Sequence, residues 1–148
     1  MSQDDEQTPA SPLDIGDSDY ATLAAFRHSL RSFLAFSEDA AREAGLTPQQ
    51  HQALLAIRGL ASEQGVTVGD LARHLLLKPH TAVGLVDRLV RAGLLLRTPD
   101  SEDRRRVLLT LTSKANTVLR DLSATHLTEI RRKGPQLADL LRRLSGQA

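Results

Sequence analysis

The sequence predicts a mainly α chain: a winged helix-turn-helix with long N- and C-terminal helices and a two-stranded β-hairpin wing. Three observations carry this. Residues 66–112 run in the order short helix, turn, second helix, strand, polar tip, strand. The segments on either side are long and carry apolar residues at three- and four-residue spacing. Aromatic residues make up only 3% of the chain, so the core must come from Leu, Val and Ala, which suits helix-on-helix packing.

The first helix is expected from about Asp19 to Ala44, ending at Gly45, with Leu23, Phe26, Leu30, Phe33 and Ala40 on one stripe. Thr47, Pro48 and Gln50 open the second as a capping box, and Leu54, Leu55, Ile57 and Leu60 are its core positions. Thr67 and Asp70 repeat the capping-box spacing before a third helix whose apolar residues are Leu71, Ala72, Leu75 and Leu76. Pro79 suits the first turn of a fourth helix, and it pushes Lys78 towards an extended conformation. Val83, Val86, Leu89 and Val90 form that helix's stripe, and Gly93 stops it.

Residues 94–98 read as a strand, 99–103 as a turn, and Val107, Leu109 and Leu111 alternate on the return strand. Thr112 caps a fifth helix over 113–133. Gly134 and Pro135 are expected to break it, and a sixth follows over 135–145 with Leu137, Leu140, Leu141 and Leu144. Helices one, five and six are more apolar than one small winged module needs. Something must cover them, either a second copy or the same helices folded back on a monomer.

The stretch from Leu85 to Arg97, then the Asp103–Arg106 run with Leu108–Thr112 close behind, resembles the multiple-antibiotic-resistance regulator (MarR) family. That family's wing carries Asp-any-Arg followed by a strand ending in Leu-Thr, matched here by Asp103, Arg105, Leu111 and Thr112. The resemblance covers roughly residues 18–146. It implies a homodimer that binds double-stranded DNA at a palindromic operator. It implies most often a repressor, released by a small aromatic or anionic effector bound between the dimer helices and the winged lobe. The division that follows is an acidic tail over 1–17, expected to be disordered, and one domain over 18–148. Within it, 46–112 is the DNA-binding lobe, and 18–45 with 113–148 are the dimerisation helices.

Composition bounds the rest. At 148 residues the chain has the length of one domain with room for a core. Its net charge of +1 hides an asymmetry: residues 1–19 hold six acids and no Lys or Arg, which leaves 19 basic against 12 acidic residues on the remainder. A basic body fits a polyanionic partner. The tail's expected role is solubility or, as an alternative, DNA mimicry. There is no Cys, hence no disulfide, thiolate metal site or thiol sensor. No apolar run spans a membrane and no secretory signal stands at the start, so the expected location is cytoplasmic. The five His have no metal-ligand spacing, and no cofactor motif or catalytic constellation is present, so no enzyme is expected.

The candidate DNA-binding residues are Lys78, His80, Thr81, Gly84, Arg88, Arg97, Asp103, Arg104 and Arg105. His80 and Thr81 start the helix that would enter the major groove, where base edges are reached, although a solvated surface His is the plain alternative. Gly84 lets the backbone approach. Lys78 and Arg88 suit phosphate, but Arg88 could instead pair with Asp87. Arg97 suits local charge or phosphate. Strand alternation would send Arg104 and Arg106 to one side of the tip and Arg105 to the other. By the family pattern Arg105 enters the minor groove and Asp103 orients it by a charge-assisted bond. Phe26, His28, Arg31 and Phe33, with Phe36, offer rings and cations for an effector. The rival reading is a winged-helix protein-interaction adaptor that does not bind DNA; the basic wing tip argues against it.

Overall fold

Most of the helices start where a side chain can serve the first free amides. In the computed structural model, which describes residues 13–147, α1 spans Asp17–Glu43, α2 Pro48–Gly59, α3 Val68–Leu75, α4 Pro79–Arg91 and α5 Ser113–Leu144. Thr47 and Gln50 exchange both capping-box bonds at α2, and Thr67 and Asp70 do so at α3. Thr112 accepts from the Ala115 amide at α5. Of the tail expected to be disordered over 1–17, residues 1–12 lie outside the described residues, 13–16 lead into α1, and Asp17 is already its first residue.

The wing consists of β1 (Leu95–Pro99) and β2 (Val107–Leu111), antiparallel, with Leu95 opposite Leu111 and Pro99 opposite Val107. Its foot is fastened three ways. The Leu109 amide donates to Val66 O at 2.7 Å, the Thr112 amide to Leu94 O at 3.1 Å, and the Thr112 hydroxyl to Gly93 O at 2.7 Å. Two glycines permit this closeness. Gly93 stops α4 with φ +72°. Gly65 has φ +77°, and a Cβ there would stand 2.8 Å from Leu108 Cδ2.

The core gathers Leu54 and Ile57 of α2, Leu71 of α3, Leu85, Val86 and Leu89 of α4, Leu95 and Leu109 of the wing, and Leu119 and Leu122 of α5. α1 and α5 lie against each other and against α2, outside the winged lobe. Much of their apolar surface is left open in the single chain: Leu23, Leu30, Leu34, Leu127, Ile130 and Leu141 are all exposed.

Several expectations need correction. α5 runs unbroken through Gly134 and Pro135, so the described residues hold five helices and not six. Pro135 removes one amide, but both it and Arg131, whose carbonyl loses that partner, are exposed to water. The leucine stripe beyond it then carries the helix on. Leu55 and Leu60 face solvent, and His51, Ala53 and Ala56 take core places on α2 instead. Leu76 is outside α3, left-handed at φ 56° and 91% exposed. Val83 is exposed, and the buried side of α4 is Ala82, Leu85, Val86 and Leu89.

Candidate nucleic-acid interface

The buried side of α4 fixes what its other side presents. With Ala82, Leu85, Val86 and Leu89 turned into the core, the 100° step per residue leaves His80, Val83, Gly84, Asp87 and Arg88 on the outward face. Lys78 flanks the start of α4 as an exposed extended residue. His80 is exposed in the first turn, and Thr81 is half-buried at the edge of the face. Arg88 lies along the outward side: its Nη1 is 3.6 Å from where a Cβ on Gly84 would stand.

Asp87 resolves the alternative left open for Arg88. Its carboxylate pairs with Arg97 of β1, and its carbonyl accepts a long 3.4 Å bond from Arg91 Nε. Arg88 therefore makes no ion pair with any described residue. Arg97 is committed to tying the wing's first strand onto the outward side of α4.

The wing tip is a set of tight turns. The Asp100 amide donates to Arg106 O at 2.8 Å, and the Arg106 amide to Asp103 O at 3.0 Å. Asp100 Oδ1 accepts from the Glu102 amide, and Asp103 Oδ1 from the Arg105 amide, each at 3.1 Å. Two expectations change as a result. Residues 104–106 lie in this turn and not in a strand, so strand alternation does not sort the three arginines. Asp103 does act on Arg105, but through the backbone amide; its bond to the guanidinium is not made here. Arg106 differs from its neighbours. Its Nη1 donates to Gln64 O at 2.9 Å and pairs with Asp100 at 3.5 Å, so it fastens the tip to the loop before α3. Arg104 and Arg105 are exposed and form no ion pair with any described residue.

At the base of the lobe Asp70 holds its carboxyl below the usual range. The main cause is the Thr67 amide donating to it; the Thr67 hydroxyl, Arg73 and Arg106 act in the same sense, against burial.

The four effector candidates on α1 are not gathered into one site. Phe33 packs edge-on to His126 at 6.0 Å between ring centres, and Phe36 does so at 5.6 Å. Phe26 is half-buried, Arg31 is exposed, and His28 contacts its own helix at Ser32, 3.4 Å away. A crevice of about 510 Å³ between α2 and α5 is lined instead by Leu55, Arg58, Asn116, Leu119 and Arg120, among others.

Sequence reasoning missed three things here. Val83 was placed in the core because its spacing fits the apolar stripe, and only Ala82 and Leu85 taking the inner side displaces it. Arg58 and Arg120 lie on different helices with no shared motif. The His51–His126 pair, with ring centres 4.8 Å apart, joins residues far apart in the chain. Burial holds His51 below the ordinary imidazole value, with the His126 ring adding to the effect.

Comparison with known proteins matches a family model described as MarR family to residues 44–106. The transcriptional activatory protein BadR of Rhodopseudomonas palustris is 39% identical over 74 residues, which is 50% of this chain and 42% of BadR. The chain thus matches less than half of that relative's length. Among solved structures, CouR from Rhodococcus jostii bound to p-coumaroyl-CoA superposes with a TM-score of 0.67 at 24% identity, covering 86% of this chain and 94% of CouR. A mutant of MepR from Staphylococcus aureus bound to an oligodeoxyribonucleotide gives 0.63 at 21% identity, covering 87% and 98%. At these identities the two structures are similar in fold.

Proposed function

We propose that the chain is a winged-helix transcriptional regulator of the MarR family, whose model matches residues 44–106, and that it is a homodimer that reads a palindromic operator in double-stranded DNA. The observation that carries the reading is the Asp87–Arg97 pair. It bridges β1 to the outward side of α4, and because Leu95 and Leu109 of the wing share one core with Leu85 and Leu89 of α4, a single lobe carries Lys78, His80, Arg88, Arg104 and Arg105. α4 enters the major groove, with His80, Thr81 and Arg88 near base edges or phosphates and Gly84 allowing close approach. Lys78 holds phosphate, and Arg105, with Arg104 beside it, enters the flanking minor groove. The open apolar faces of α1 and α5 support a second copy as partner.

Salt dependence tests the reading. Four cations per protomer on a dimer neutralise roughly eight phosphates, so log K should fall against log salt with a slope of about −7. A slope near zero, or no retention on duplex at low salt, would instead favour a protein-interaction adaptor.

The output we propose is repression relieved by a small aromatic or anionic effector. CouR, bound to p-coumaroyl-CoA, supports an effector of this type by fold likeness. The BadR match favours a second reading, activation. A reporter driven by the recovered operator, with and without the gene, decides between them: expression rising on deletion supports repression, and expression falling supports activation. No helix among the described residues is long and apolar enough to cross a membrane.

A further inference from the structure

The outward face of α4 contains one side chain that neither folding nor charge explains. Val83 is 45% exposed, although the same helix buries Val86 and Leu89 completely. Its neighbours on that face are polar or small: His80 one turn before, Gly84 beside it, and Asp87 one turn after, already held by Arg97. Valine is a poorer helix former than alanine, and its branched side chain is stiff in a helix. An exposed helix position gains nothing from such a residue in the free protein.

We propose that Val83 reads the 5-methyl group of thymine, an inference that rests on the DNA-reading function above. The chemistry is selective. Val83 has no donor or acceptor, so it can favour a base edge only by apolar contact. Among the four base edges in the major groove, only thymine presents an apolar group, its C5-methyl. Gly84 strengthens the case: it leaves the helix beside Val83 without a Cβ, and what lies over it is the far end of Arg88, 3.6 Å from where a Cβ would stand, so the backbone can come close for methyl contact once that side chain turns to a phosphate. Stiffness also helps, since a side chain already in its rotamer loses little freedom on contact. Val83 thus separates thymine from cytosine at one position of each half-site, while His80 and Arg88 act on either side.

The test uses uracil, which keeps thymine's base pairing and lacks only the methyl. The full-length protein first selects duplexes from a random pool. Each thymine of one half-site in the winning duplex is then replaced singly by uracil, and affinity is measured for the wild type and for Val83→Ala. At one position the wild type should lose about fourfold in affinity, the worth of roughly one buried methyl. Val83→Ala should show a smaller difference between thymine and uracil at that position. A wild type indifferent to uracil everywhere overturns the inference while leaving DNA reading intact. A methyl effect undiminished in Val83→Ala overturns it too, because another residue then reads the methyl. If no duplex is selected and low-salt retention is absent, the DNA-reading function itself fails and this inference fails with it.

Discussion

Asp103 and Arg106 both act on Arg105, by different routes. Asp103 fixes the backbone beneath it, and Arg106 moors the turn to Gln64. Arg105→Ala should therefore weaken operator binding by about 1–3 kcal/mol with no change in melting temperature, since an exposed side chain is all that is lost. Asp103→Ala should act the same way but less. Both effects can be read by fluorescence anisotropy; an unaltered affinity for Arg105→Ala would remove its minor-groove role. Leu76 is a different kind of residue. It sits left-handed at the turn between α3 and α4, where a Cβ is disfavoured by roughly 1–2 kcal/mol, and its side chain is almost wholly in water. Leu76→Gly should raise stability by about 0.5–1 kcal/mol in chemical denaturation, the relief of that strain less glycine's entropy cost.

The elements were legible to different degrees. The starts of α2, α3 and α5 could be read because their caps are local: Thr47, Thr67 and Thr112 need only the next three residues. The wing could be read because its strands alternate. The course of the chain past Pro135 could not, because whether a proline ends a helix depends on what serves the orphaned carbonyl and on what the next turn packs against. The inward side of α2 was misread because a short helix rich in Leu and Ala supports two faces, and only α1 and α5 choose His51 over Leu55.

That choice has a pH consequence. His126 donates from Nδ1 to Leu122 O at 2.6 Å, which leaves Nε2 to accept the Ser37 hydroxyl at 2.7 Å in the neutral ring. His51 stacks beside it, 4% exposed and held below its ordinary value. As pH falls through about 6.5, the unfolded chain takes up a proton at His51 that the folded chain refuses, so stability falls with acidification until the folded value is passed. This one group contributes a slope of at most about 1.4 kcal/mol per pH unit. Urea titrations on either side of that pH should show the slope in the wild type and a flatter one in His51→Leu.

For the whole molecule, the decisive surface is the one left open. α1 and α5 expose leucines that one chain does not cover, and removing residues 135–148 takes away Leu137, Leu140, Leu141 and Leu144 together. Light scattering should then report a monomer or aggregate where the full chain gives a dimer; a stable, soluble dimer would refute this role for the C-terminal helix. The unbroken course of α5 adds a mechanical consequence. Its 32 residues make a rod about 48 Å long. One end is rooted beside the wing, where Thr112 is bonded to Gly93 and Leu94, and the other carries the exposed Leu141. Such a rod is a lever. A tilt of only about 5° at the far end displaces the wing's foot by ~4 Å over that length, comparable to one base-pair step along a duplex. A small molecule wedged against the shaft would not need to touch the reading head to put it out of register.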